Sequence, residues 1–186
     1  FAYAAVASLL PVWVLLQPRD YINGLQLFVG LLLLYGAILL GNPQVVAPMI
    51  NGNLPAGTPS LMPLLFVTIA CGAISGFHGL VASGTTSKQL NKETDARFVG
   101  YFGAVGEGAL ALAAILAATA GFASLADWEA VYSSFGQGGI VAFVQGGAAI
   151  LENGTGISAE VSATMLTVMA ALFAGTTMDT GLRLQR

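Results

Sequence analysis

The sequence predicts an all-α fold: a polytopic transmembrane helical bundle of about five spans, one of them a discontinuous helix interrupted by glycines. Three observations predict it. Of the 186 residues, 56% are hydrophobic and 8% charged, where a soluble globular domain carries about 25% charged residues. The mean hydropathy is +0.80. Five segments approach the roughly 20 mainly apolar residues that a bilayer crossing needs. With six Lys+Arg and nine Asp+Glu, the chain has too few charges to solvate a soluble enzyme or a disordered tail. The net charge of -3 gives no basic field for nucleic acid. The single cysteine, Cys71, excludes an internal disulfide framework. The chain lacks an initiator Met, and Phe1 opens inside an apolar run, so a piece or processed product of a longer chain is expected.

Each expected span rests on its own residues. The first, residues 1–16, is short, and Pro11 should kink it. Gln17-Pro18-Arg19-Asp20 reads as the link to the second, residues 21–40, whose centre is Leu31-Leu32-Leu33-Leu34. Residues 41–60 form an uncharged loop with Pro43, Pro48, Pro55 and Pro59. The third span, residues 61–86, carries Gly72, Gly76, Gly79 and Gly84, and the fourth, residues 98–122, is rich in Ala and Gly. Residues 123–157 read as an outer loop whose apolar, glycine-rich part lies at the interface or dips in and returns. The fifth span is residues 158–178. With five crossings every Lys and Arg falls on one side, the asymmetry of the positive-inside rule. That side, with Lys88, Lys92 and Arg97 in one turn, is placed in the cytoplasm. The whole chain reads as a single membrane domain.

Charged and polar groups inside spans are the candidate functional residues, because lipid makes them costly. Glu107 lies well inside the fourth span, where a carboxylate costs about 2.5–3.5 kcal/mol on insertion scales. Its small neighbours Gly103, Ala104, Gly106 and Gly108 would let another helix backbone approach. A protonatable acid in a packed span is what a proton-coupled transporter requires, although a structural hydrogen bond between helices explains it equally. His78 is the only histidine. In a continuous helix it shares one stripe with Thr68, Cys71, Ser75, Ala82 and Thr85. Ser75, Gly76 and Gly79 beside it could unwind to expose backbone groups to a substrate or ion. The alternative is close packing through the GxxxG pattern of Gly72 and Gly76. One His and one Cys are too few for a metal site, and no cofactor is expected. Asp179 ends the fifth span, with Arg183 four residues on for a local helical ion pair.

The run Leu64-Leu65-Phe66-Val67-Thr68-Ile69-Ala70-Cys71-Gly72-Ala73-Ile74-Ser75-Gly76-Phe77-His78 resembles the signature of the carbon starvation protein A (CstA) transporter family. So do Ser83-Gly84-Thr85-Thr86-Ser87-Lys88, Glu93-Thr94-Asp95-Ala96-Arg97 and Gly100 onward to Glu107-Gly108. Leu10-Pro11-Val12-Trp13 and Gln17-Pro18-Arg19-Asp20-Tyr21 are similar to the family's preceding segment. Thr176-Thr177-Met178-Asp179-Thr180 with Arg183 resembles its closing motif. Residues 61–63, 101–106 and 123–157 depart from the family pattern. The resemblance implies a bacterial or archaeal inner-membrane protein, with the lipid bilayer and further transporter helices as its partners. It implies proton-coupled uptake of peptides, or of small carboxylates such as pyruvate, during carbon starvation, with Na+ as the alternative coupling ion. This chain would be the middle portion of such a transporter and not an enzyme. Glu107 is then the proton-responsive group, His78 a substrate or relay group, Ser75, Gly76 and Gly79 the exposed backbone, and Thr85 and Asp179 further members of the pathway. The competing classes are a membrane scaffold subunit and a membrane-embedded enzyme using Glu107, His78 and Asp179.

Overall fold

The computed structural model describes residues 2–52, 54–55, 57–73, 76–134 and 138–184, without the side chains of residues 2, 4, 12, 16, 71–73 and 76–78. Among the described residues the regular structure is entirely helical. Helix α1 spans Ala2–Leu9 and α2 spans Val12–Gly41. Pro11 separates them, since its ring fixes φ and removes an amide donor. The link expected at residues 17–20 does not form: α2 is one helix of 30 residues with Pro18 inside it. Arg19 and Asp20 therefore belong to a helix, and Arg19 finds its counter-charge within the protein, as described below. Asn42, at φ 43, turns the chain out of α2.

The glycine-interrupted segment is described on either side of residues 74 and 75, which lie outside the described residues together with the break expected near them. Helix α3 spans Leu61–Ala73 and α4 spans Gly76–Val81. A π-helical stretch, Ala82–Thr86, follows and leads into the single turn α5, Ser87–Gln89. Leu90 then turns extended, at φ -68 and ψ 131. The wider π-turn falls on Ser83-Gly84-Thr85-Thr86. There Gly84 weakens helix preference, and hydroxyls take up backbone carbonyls, with Ser83 Oγ donating to Leu80 O (3.2 Å) and Ser87 Oγ to Ser83 O (2.7 Å). Helix α6 spans Asp95–Ala120, with the Asp95 carboxylate in its first turn, where the helix dipole favours it.

Helix α7, Leu125–Val131, starts at Ser124, whose Oγ accepts from the Asp127 amide (3.2 Å). Helix α8 spans Gly139–Thr155 and ends at Gly156, a left-handed residue at φ 76. It lies in the stretch expected to be an outer loop, yet Ala142, Gly146, Gly147, Ala148, Ile150 and Leu151 on it are buried. Helix α9 spans Ala159–Leu184. Among the described residues three helical stretches are long and apolar enough to cross a membrane: Gln17–Gly41, Asp95–Ala120 and Ala159–Leu184. Of the expected spans, residues 21–40, 98–122 and 158–178 overlap these three, and residues 1–16 divide between α1 and the start of α2. The described part of residues 61–86 forms α3, α4 and the π-turn.

The chain forms two compact units. Unit 1 comprises Phe1–Asp20, Pro59–Gly106 and Ala174–Arg186; unit 2 comprises Tyr21–Thr58 and Glu107–Phe173. Unit 2 is held by small residues at crossings. Its core joins Leu34 and Ala37 of α2, Ala113 of α6, Ile150 and Leu151 of α8, and Leu166 and Met169 of α9. Within lipid, helices associate through close van der Waals packing more than through apolar burial. Gly146 accordingly lies against the Ala117 carbonyl and Gly121, and Gly154 against the Ala37 backbone. Tyr35 Oη donates to Ala109 O (2.6 Å), tying α2 to α6. Trp128 Nε1 donates to Ala118 O (3.1 Å), and the Val46 amide donates to Thr119 O (3.0 Å), docking two connections onto α6.

A Cβ at Gly146 or Gly154 would collide with backbone, whereas one at Gly36 meets nothing within 4 Å. Gly146→Ala and Gly154→Ala are each expected to destabilise unit 2 by about 1–3 kcal/mol. Gly36→Ala should be neutral or slightly stabilising. Thermal unfolding of the detergent-purified protein measures the contrast.

Candidate functional site

In unit 1, side chains of opposite charge meet within apolar helices. Arg19 of α2 donates from Nη1 to Asp179 Oδ2 of α9 and, at 3.3 Å, to Tyr3 Oη of α1. Its guanidinium also lies over the Tyr3 ring, 5.3 Å from the centroid. The pair is withdrawn from solvent, with side-chain exposures of 15% for Arg19 and 1% for Asp179. Gly175, one turn before Asp179, makes room for it: a Cβ there would sit 2.6 Å from Arg19 Nη2. The other carboxylate oxygen, Asp179 Oδ1, is buried without a hydrogen-bond partner among the described residues.

The local Asp179–Arg183 pair expected from the sequence is not made. Arg183 Nη2 instead donates to Leu10 O and to Ala7 O (3.2 Å). The break at Pro11 ends α1 and strands its last carbonyls, which gives this cation a nearer use than the carboxylate one turn back. Arg183 thus clamps α1 to α9 while Arg19 clamps α2 to α9.

Beside this cluster is a cavity of about 300 Å³ lined by Asp20, Thr85, Thr86, Gln89, Thr180 and Arg183, with Val81, Leu90 and Val99 as its apolar wall. The π-turn supplies Thr85 and Thr86, α5 supplies Gln89, and α9 supplies Thr180 and Arg183. Gln17 Nε2 donates to Gln89 Oε1 (3.5 Å). Asp20 makes no ion pair among the described residues; its charged neighbours are Arg19 and Asp179.

The residues singled out by the sequence are distributed unevenly around this site. Thr85 lines the cavity, and Asp179 lies in the ion pair beside it. Gly79 is in α4 with open space around it, and Gly76 begins that helix. Ser75 lies outside the described residues, as does the side chain of His78. Glu107 is in α6 within unit 2 and is exposed. A Cβ at Gly103, Gly106 or Gly108 would meet nothing within 4 Å, so no described helix makes the close approach expected there. Sequence reasoning passed over Arg19, Asp20 and Arg183 as site residues. The available signal was that Arg19-Asp20 interrupts an otherwise apolar stretch without a glycine to end the helix.

The family model described as carbon starvation protein CstA matches residues 1–131. The chain belongs to the CstA family. The pyruvate/proton symporter BtsT of Escherichia coli (strain K12) is 48% identical over 124 residues, 63% of this chain and 17% of that protein. The peptide transporter CstA of Helicobacter pylori (strain ATCC 700392 / 26695) is 47% identical over 121 residues, 62% of this chain and 18% of that protein. The peptide transporter CstA of Bacillus subtilis (strain 168) is 39% identical over 136 residues, 71% of this chain and 22% of that protein. The chain therefore spans only about a fifth of the curated CstA relatives it matches. The family match ends before α8, so Thr176–Thr180 and Arg183, likened to the family's closing motif, lie outside it. No solved structure matches the chain. Membership and the apolar helices together make this an integral membrane protein.

Removing one partner of a buried ion pair strands the other. Asp179→Leu and Arg19→Met are each expected to cost about 3–5 kcal/mol, whereas the double replacement should recover most of that loss. A double-mutant cycle of detergent unfolding reads the coupling directly.

Proposed function

We propose that the chain is part of a proton-coupled secondary transporter that takes up peptides or small carboxylates such as pyruvate during carbon starvation. The observation that carries this reading is family membership combined with ionisable side chains inside helices long enough to cross a bilayer. Intramembrane acids are expensive and mark ion or substrate pathways. The functions named for the relatives, pyruvate/proton symport and peptide transport, support the same class. Transport fits the chain better than an enzyme, since every relative named above is a transporter.

In this reading Glu107 is the proton-responsive carboxylate and His78 a polar relay or substrate group. Ser75, Gly76 and Gly79 expose backbone to the pathway, and Thr85 and Asp179 border it. Coupling arises because a proton on an intramembrane acid changes the free energy of the substrate-bound states. The protein resides in the bacterial or archaeal inner membrane, with the Lys/Arg-bearing turn at Lys88, Lys92 and Arg97 facing the cytoplasm. The gathering of Lys88, Lys92 and Arg97 in one short polar connection supports that orientation.

Uptake of labelled pyruvate and labelled dipeptide is to be measured in proteoliposomes containing the transporter that carries this chain, under an imposed pH gradient. At least one substrate should accumulate with the gradient and stop when it is collapsed. Glu107→Gln should lower the gradient-driven component at least about 10-fold while leaving membrane insertion intact. Unchanged gradient-driven uptake in that variant removes Glu107 from the mechanism.

A further inference from the structure

The unit 1 cavity carries two charges that form no ion pair among the described residues. Asp20 and Arg183 both line it, and neither makes an ion pair within 4.0 Å among the described residues. The contrast with Arg19 and Asp179, which meet directly, is informative. Charges kept within apolar helices are ordinarily matched; here one acid and one base face a common space and remain apart. Arg183 is moreover held in place by the carbonyls of Ala7 and Leu10. Carbonyls fix its position but leave its formal charge uncancelled. The cavity therefore presents a positioned cation and an acid, together with hydroxyls of Thr85, Thr86 and Thr180 and the amide of Gln89.

We propose that this cavity is a two-ended site for a small zwitterion, with Asp20 receiving an ammonium group and Arg183 a carboxylate. The hydroxyls and the Gln89 amide match the donors and acceptors of a peptide bond between those ends. Val81, Leu90 and Val99 accept a small apolar side chain. A volume of about 300 Å³ is at the lower end for a small-ligand site and suits a dipeptide-sized molecule. A monocarboxylate without an ammonium group satisfies Arg183 but meets the repulsion of Asp20. This assignment rests on the transport reading above and specifies where and how one substrate class is recognised.

The test is equilibrium binding to the full-length transporter purified in detergent, with Ala-Ala, N-acetyl-Ala-Ala, Ala-Ala amide and pyruvate as probes. Ala-Ala should bind at least about 10-fold more tightly than its N-acetyl or amide derivative, and more tightly than pyruvate. In Asp20→Asn the penalty for N-acetylation should vanish while the penalty for amidation persists. In Arg183→Gln the converse should hold. Equal binding of Ala-Ala and its blocked derivatives by the unaltered protein overturns the proposal, as do penalties that survive in the two variants. Size-exclusion profiles and unfolding temperatures separate misfolding from lost recognition; where Arg183→Gln misfolds, the Asp20→Asn arm decides alone. pH-driven pyruvate uptake that persists without any Ala-Ala preference sinks this site and spares the transport reading. Absence of both uptake and binding sinks both.

Discussion

A charge withdrawn from solvent inside an apolar helix is costly unless a counter-charge meets it, and the Arg19–Asp179 pair is where this chain meets that demand. The pair brings together residues 160 positions apart in sequence. It allows α2 to run unbroken through Gln17-Pro18-Arg19-Asp20, since Arg19 need not reach water. It also accounts for Gly175, whose missing side chain leaves room for the guanidinium, and for Tyr3, whose hydroxyl and ring both engage Arg19. Arg183, freed from the carboxylate one turn before it, anchors the carbonyls at the end of α1. The cavity walls follow from these anchors, because α9 carries both Thr180 and Arg183 and α2 carries Asp20.

The two units use different means to hold helices together. Unit 1 relies on ion pairing and on guanidinium-to-carbonyl bonds. Unit 2 relies on glycine at crossings, with Gly146 and Gly154 letting backbones touch and Leu34, Leu151 and Leu166 filling what remains. The distribution of charge parallels this division. Arg19, Lys88, Lys92, Arg97 and Arg183 all belong to unit 1, whereas Glu107, Asp127, Glu129, Glu152 and Glu160 belong to unit 2. Several hydroxyls within the helices are satisfied locally, as with Thr119 Oγ1 to Ile115 O (2.7 Å) and Thr155 Oγ1 to Leu151 O (2.6 Å). That keeps them compatible with an apolar surrounding.

Much of this was legible in the sequence, for physical reasons. Composition alone dictates the membrane class, because so few charges cannot clothe a soluble surface. The family motifs identify what kind of protein carries these helices. Gln17-Pro18-Arg19-Asp20 misled because proline and adjacent charges are also what a loop contains; only the distant Asp179 distinguishes the two. The local pairing of Asp179 with Arg183 was a fair expectation from helical spacing, but spacing is blind to the carbonyls of Ala7 and Leu10. Helix α8 was hidden because its glycines, which serve close packing against Ala117 and Ala37, look like loop residues in a linear pattern. Glu107 stands out in the sequence by its cost in lipid, yet nothing in the chain's pattern specifies what should face it.

Helix α2 continues through Arg19 because Asp179 neutralises it. A side-chain-resolution structure of the full-length transporter in a lipid nanodisc tests this most directly. The expected result is unbroken helix from Val12 to Gly41, with the Arg19 guanidinium on the Asp179 carboxylate. A non-helical turn at residues 17–20, or Arg19 extended into water away from Asp179, would contradict the account.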